Sequence, residues 1–201
     1  MYTYFCKLNR LFALLLLILL SPLLLVVSIL IFFFIDKKVF YIQRRVGHLQ
    51  KIFNCYKFSS MLGNGDSHRS KPSDQETDRI NLLGKFFREF HIDEIPQLLN
   101  IIKGDINFIG PRPHEVWHDE HYKERLQDHK YLLKNYSKRN YIKPGLTGLA
   151  QCLGYNGAID DKQLAQRIRY DLLYLRKKNF LLNLFIIFKT LKLIIFKKNE
   201  K

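Results

Sequence analysis

A run of 25 residues without a charge, Leu11 to Ile35, constrains this chain more than any other stretch. It is long enough to span a bilayer. For a secretory signal it is too long, and it lacks a small-residue cleavage site. Ser21-Pro22 falls near its middle. Proline removes a backbone hydrogen bond there, and its ring strikes the carbonyl of Ile18, kinking the helix. The Ser21 hydroxyl can take up a carbonyl so freed. The stretch before Ser21 rises only ~15 Å, about half of the hydrocarbon core. Lys7 and Arg10 precede the run, and Lys37, Lys38, Arg44 and Arg45 follow it. The positive-inside rule therefore draws both ends to the cytoplasm. Two readings stand: a kinked transmembrane span, or a helix that enters, bends at Ser21-Pro22 and returns.

The net charge of +15 is carried by the ends of the chain. Residues 1–60 hold eight basic residues and one acidic, and residues 162–201 hold eleven and two. These are also the most apolar parts, a pattern that suits an anionic membrane surface. The basic residues flank apolar runs rather than exposed stacking aromatics, which argues against nucleic acid as a partner. Cys6, Cys55 and Cys152 have no paired spacing, so they form neither a disulfide framework nor a zinc knuckle.

Val39 to Val46 and Lys51 to Phe58 read as two short strands around a turn at Gly47, and Lys57 is a candidate phosphate ligand. Gly63 to Arg79 is polar and reads as a mobile loop able to cover a site. Leu82 to Phe90 reads as a helix with Phe86, Phe87 and Phe90 on its apolar side. Asp93 then serves as N-cap of a helix that tolerates Pro96 in its first turn, reaches Lys103 and stops at Gly104. Its buried stripe is Ile95, Leu98, Leu99 and Ile102. Capping alone accounts for Asp93 and Glu94. The same geometry also serves chemistry, because a helix N-terminus keeps a carboxylate ionised and attracts anions. Adjacent residues on a helix do not face each other. Asp93 and Glu94 are thus suited to two separate jobs, one as nucleophile and one as ligand of a hard cation. Arg88 and Arg112 supply forked donors for phosphate oxygens, and the prolines on either side of Arg112 fix its approach.

Arg88, Asp93-Glu94-Ile95-Pro96-Gln97-Leu98, Lys103-Gly104-Asp105 and Gly110-Pro-Arg-Pro113 together resemble the core signature of the bacterial sugar transferases. These are small monotopic phosphoglycosyl transferases that start capsule, O-antigen, exopolysaccharide and glycoprotein assembly. The resemblance extends to Ser21-Pro22, Arg45-Val46-Gly47, Lys57-Phe58, Lys143-Pro144-Gly145-Leu146-Thr147-Gly148, Ala150-Gln151 and Tyr170-Asp171. It implies transfer of a sugar 1-phosphate from a UDP-sugar to polyprenyl (undecaprenyl) phosphate, with release of UMP. Asp93 would be the nucleophile that forms a phosphosugar–enzyme intermediate, and Glu94 would hold Mg²⁺. It also implies that the N-terminal helix is re-entrant and that the protein lies on the cytoplasmic face of the bacterial plasma membrane. The expected fold is α+β and mostly helical. Residues 1–36 form the membrane helix, and residues 37–201 form a cytosolic catalytic domain with a small β-sheet and an interfacial helix over 180–196. The sequence sets no oligomeric state.

The chain departs from the family pattern at several positions. Ser59 stands where arginine is usual, Gln50 where a turn often has glycine, Asn140 where histidine is usual and Leu149 where tryptophan is common; Asp36-Lys37-Lys38 replaces a Pro/Gly-containing entry to the first strand. His114, directly after the Gly-Pro-Arg-Pro turn, resembles glucose- and galactose-type members and favours a hexose donor. A rival reading starts at the same place. His114-Glu115-Val116-Trp117-His118 fits HExxH, a zinc protease pattern, with His121 as a third imidazole. Against it, the segment Glu115 to His129 is charged throughout and reads as a solvated helix. A membrane scaffold without activity explains the ends of the chain but not the placement of Asp93, Glu94 and Arg112. The segment Asn140 to Tyr155 is turn-rich, and Pro144, Gly145, Thr147 and Gly148 suggest tight backbone near a donor, with Arg139 and Lys143 as further candidate phosphate contacts.

Overall fold

The computed structural model describes residues 2–63, 79–156 and 160–196. It is mostly helical with two short sheets, as expected for an α+β chain. The charge-free run lies in α1 (Tyr2–Phe34), a single helix that continues through Pro22. The amide missing at Pro22 leaves the Ile18 carbonyl without its helical donor. The Ser21 hydroxyl donates to that carbonyl at 2.7 Å, as the sequence suggests. The stretch Lys7–Phe34 is the one helix among the described residues long and apolar enough to cross a membrane, with 11% of its most apolar window buried.

The chain divides into two compact units, Met1–Gln43 with Asn54–Lys103, and Arg44–Phe53 with Gly104–Lys201. In the first, Val27 and Ile31 of α1, with Ile35 just after its end, pack with Phe58 and Phe87. The hairpin β1 (Phe40–Val46) and β2 (Ile52–Phe58) matches the expected strands, and its ends belong to this unit. At its tip Leu49 and Gln50 adopt φ of 52° and 65°, the left-handed region for which glycine is usual. Ser59 is bound to the preceding entry segment, its hydroxyl donating to the Lys38 carbonyl at 2.5 Å.

The polar stretch between Gly63 and Arg79 lies outside the described residues except at its ends. There the Leu62 amide donates to the Arg79 carbonyl at 2.7 Å. Helix α2 (Leu82–Glu89) is capped by Asn81, whose side chain accepts from the Gly84 amide and donates to the Phe34 carbonyl. Of the three phenylalanines expected on its apolar side, Phe87 is buried. Phe86 and Phe90 are 48% and 41% exposed and pack on each other.

The turn Ile92–Gln97 is a 3₁₀ helix that leads into α3 (Leu98–Lys103), ended by Gly104 at φ 87°. Asp93 is therefore not the N-cap; His91 takes that position at φ 55°. An Asp93 cap would need the amides of Ile95 or Pro96, and proline has none. Tightening to three residues per turn also rotates the later side chains by roughly one position. Leu98 and Ile101 are the fully buried residues of the stripe, while Ile95, Leu99 and Ile102 are half-buried.

The second unit has two apolar centres. One joins Tyr122 of α4 (Val116–Arg125) and Leu126 that caps it, Leu132 of α5 (Lys130–Asn135) and Leu164, Ile168 and Leu172 of α7 (Asp161–Lys177). The other joins Ile142, with Leu149 and Cys152 of α6 (Leu149–Cys152), to Tyr174 and to Ile186 of α8 (Phe180–Phe196). Leu149 thus works as core. Helix α8 turns Ile186 inward, with Asn183 bound to the Tyr174 hydroxyl, and leaves Phe180, Leu181 and Phe188 exposed. An amphipathic helix at an interface would show this split.

Two short strands, β3 (Asn107–Ile109) and β4 (Gly145–Thr147), pair in parallel with Asn107 opposite Gly145. The glycines at their ends allow the approach. A Cβ on Gly145 would lie 2.0 Å from the Gly110 nitrogen, and one on Gly148 would lie 2.2 Å from the Gly110 oxygen. Gly145→Ala is accordingly expected to separate the strands and destabilise the protein by about 2 kcal/mol, read as a lower denaturant midpoint.

Candidate active site

In the first unit, the tight turn before α3 carries both carboxylates. Asp93 is buried at 9% exposure. Glu94 faces β2, where the Lys57 ammonium donates to its Oε1 at 2.9 Å. Both partners are largely enclosed, with side-chain exposures of 15% and 13%, so the pair is screened less than a surface ion pair. Arg88 is half-buried near the end of α2. The Asn100 side chain fastens this arrangement: its Nδ2 donates to the Asn54 carbonyl and its Oδ1 accepts from the Tyr56 amide, which ties α3 to β2 next to Lys57. Asn100 was not among the expected site residues; its signal is a polar residue inside the apolar run Leu98 to Ile102.

In the second unit, Arg112 is half-buried between Pro111 and Pro113. The segment Pro144 to Gly148 lies against the same turn. The Gly110 amide donates to the Thr147 carbonyl at 2.9 Å, and the Gly145 amide donates to the Pro111 carbonyl at 3.0 Å. The tight backbone expected there is real, but the Gly145 amide is used within the protein. Lys143 donates to the Gly104 carbonyl at 2.6 Å.

Arg139, expected on a phosphate, has its donors turned to protein groups. It is 1% exposed. Its Nε and Nη2 donate to Asp171 Oδ2 at 3.0 and 2.7 Å, and Nη2 also donates to the Arg112 carbonyl at 2.6 Å. Nη1 meets His114 Nδ1 at 2.9 Å. Since guanidinium only donates, Nδ1 is the acceptor. The Tyr136 hydroxyl, 2.6 Å from Nδ1, gives its hydrogen to Asp119 Oδ1 at 2.8 Å. Burial opposes the charge on Arg139, but Asp171 and the Tyr136 phenol more than offset it, so its pKa is raised. Neighbouring Arg167 is pushed down to about 10 by burial, with Asp171 opposing and Arg139 adding to the shift. Asp119 and Tyr136 were not singled out from sequence, because the charged look of Glu115 to His129 hides the fact that Asp119 and Tyr122 face inward.

Burial first, then Arg139, holds the His114 pKa well below its ordinary value. The ring is therefore neutral in the fold, while the unfolded chain takes up a proton near pH 6.5. Stability from this group is full above that pH and is lost as pH falls below it, by up to about 1.4 kcal/mol per pH unit. Between pH 7 and 5 the denaturant midpoint should fall, and His114→Gln should flatten the fall.

The zinc reading fails on this geometry. His114 faces a guanidinium, Glu115 is bound by Arg45 at 3.7 Å and His118 at 3.2 Å, and His121 pairs with Glu124. No group of three His, Cys, Asp or Glu side chains among the described residues could hold a metal ion.

A family model described as bacterial sugar transferase matches residues 5–197. The chain belongs to that family. It is 36% identical over 154 residues to a UDP-glucose:undecaprenyl-phosphate glucose-1-phosphate transferase of Xanthomonas campestris pv. campestris, covering 76% of the chain and 30% of the relative. It is 32% identical over 158 residues to a UDP-N-acetylgalactosamine-undecaprenyl-phosphate N-acetylgalactosaminephosphotransferase of Aeromonas hydrophila, covering 78% and 35%. An exopolysaccharide production protein of Sinorhizobium fredii is 36% identical over 168 residues, covering 76% and 68%. This sugar transferase thus spans about a third of the first two relatives and about two thirds of the third.

Mg²⁺ is held by hard oxygens, often one or two carboxylates together with substrate phosphates. Glu94 fits that demand. A carboxylate has about four lone-pair sites, so the Lys57 ammonium on Glu94 Oε1 and a cation can share the group.

Proposed function

We propose that this bacterial sugar transferase moves a sugar 1-phosphate from a UDP-sugar to undecaprenyl phosphate and releases UMP. The observation that carries the reading is the enclosed Lys57–Glu94 pair beside buried Asp93, in a chain that matches the family over nearly its whole length. An Asp93 carboxylate oxygen attacks the β-phosphorus of the donor. The bond from that phosphorus to the bridging oxygen breaks, and UMP leaves. An oxygen of undecaprenyl phosphate then attacks the same phosphorus, and the acyl-phosphate bond to Asp93 breaks. Two displacements let one site serve a soluble donor and a lipid acceptor in turn.

Glu94 would hold Mg²⁺, which neutralises charge on the diphosphate when bound. Lys57 holds the orientation of Glu94 through their ion pair, and Arg88 and Arg112 offer forked donors to phosphate oxygens. The name of the Xanthomonas campestris relative and the histidine at position 114 favour a hexose, with UDP-glucose the first donor to try. The apolar helix, with Ser21-Pro22 near its middle and basic residues on both flanks, supports a monotopic placement on the cytoplasmic face of the plasma membrane, with α8 lying in the headgroups. The test offers the purified protein UDP-glucose, UDP-galactose and UDP-N-acetylgalactosamine with undecaprenyl phosphate and Mg²⁺. Turnover with one of them is expected; a folded protein that releases UMP from none contradicts the reading.

A further inference from the structure

Three successive carbonyls of the turn that carries Arg112 are each held by a donor distant in sequence. Arg139 Nη2 holds that of Arg112 at 2.6 Å, Arg45 Nη1 that of Pro113 at 3.1 Å, and the Val46 amide that of His114 at 2.8 Å. All of these residues lie in the second unit. Two of the donors are arginines only 1% and 5% exposed. A buried guanidinium is an expensive way to satisfy a carbonyl, since burial opposes its charge. A backbone amide, such as that of Val46, satisfies its carbonyl without that charge.

What the guanidinium adds is a rigid fork with several fixed directions. Asp171 anchors one side of Arg139, His114 Nδ1 receives another hydrogen, and the Arg112 carbonyl takes a third. Pro111 and Pro113 restrict the backbone on either side of Arg112. The result is an arginine whose own backbone has little room to shift.

We propose that Arg139, seconded by Arg45, is a positioning residue that fixes how Arg112 approaches the donor diphosphate. This rests on the transferase reading. Misplacing a group by ~1 Å can lower a rate about 100-fold. A lysine at position 139 keeps the positive charge opposite Asp171 but cannot serve Asp171, His114 and the Arg112 carbonyl with the same planar fork.

The test is a double-mutant cycle on the full chain, with the UDP-sugar the wild type turns over fastest. Arg139→Lys alone is expected to lower kcat/KM about 100-fold. Once Arg112→Ala has removed the group being positioned, Arg139→Lys should cost less than about threefold more, because the two act as one unit. A purely structural role would lower activity by the same factor in both backgrounds, and that result overturns the proposal. So does an Arg139→Lys variant with wild-type kcat/KM. Thermal unfolding and the emission of Trp117, the single tryptophan, check that each variant is folded. If Arg139→Lys is not, Arg45→Lys runs the same cycle under the same criteria. A wild type that releases no UMP from any donor overturns the transferase reading and this proposal with it. An active wild type with an additive cycle overturns the proposal alone.

Discussion

Asp93→Asn is expected to lower UMP release by at least about 1,000-fold and to leave the protein folded. The substitution keeps the shape of a side chain that is 9% exposed. It removes the charge and the nucleophilic oxygen pair, and a carboxamide is a poor nucleophile toward phosphorus. Glu94→Gln should behave differently. It removes the ionic partner of Lys57 at 2.9 Å as well as a cation ligand, so it should weaken Mg²⁺ dependence and stability together. Glu115→Gln, the base of the discarded zinc reading, should retain most activity. UMP release under saturating donor, with unfolding followed in parallel, separates the three.

Asp171→Ala is expected to produce the largest loss of stability, about 3–5 kcal/mol. Asp171 is 2% exposed and takes two hydrogen bonds from Arg139, itself 1% exposed. Removing it strands one buried cation and leaves nearby Arg167 without the carboxylate that supports its charge. Arg139→Met combined with Asp171→Leu should recover part of the loss, since a buried pair is often replaceable by apolar residues of similar volume. It should not recover activity if Arg139 positions Arg112. Chemical denaturation in detergent gives both numbers. A loss below about 1 kcal/mol for Asp171→Ala, the range of an exposed ion pair, would contradict the account of this network.

Local pattern made much of this architecture legible. The apolar run, the two strands around Gly47, helix α2, the stop at Gly104 and the last helix all follow from periodicity and turn chemistry. The Ser21 bond to Ile18 follows from proline's missing amide. Where the reading slipped, a local rule met a second constraint. Pro96 removed one of the two amides an Asp93 cap could use, the turn tightened to 3₁₀, and the buried stripe kept Leu98 but took Ile101 in place of Ile95, Leu99 and Ile102.

The rest depended on partners far away in the chain. Arg139 looks like a phosphate contact until Asp171, 32 residues on, takes its fork. The glycines at 110, 145 and 148 look like a ligand loop until β3 and β4 are seen to pair across them. His114 looks like a zinc ligand until Arg139 is found facing its Nδ1. No local window contains both members of such a pair. Both carboxylates, by contrast, were legible as candidates because they are adjacent, and the contact of Glu94 with Lys57 adds the partner that spacing could not supply.

The central claim, covalent transfer through Asp93, is tested most directly by omitting the acceptor. Wild-type protein is mixed with Mg²⁺ and the UDP-sugar it uses, without undecaprenyl phosphate, and followed by intact-protein mass and UMP release. The account predicts about one UMP per protein chain and a mass gain of one sugar phosphate. The gain should map to Asp93, be absent in Asp93→Asn and be discharged when undecaprenyl phosphate is added. UMP that appears only after the lipid is added, with no mass gain at any time, would mean a single direct displacement and would contradict it.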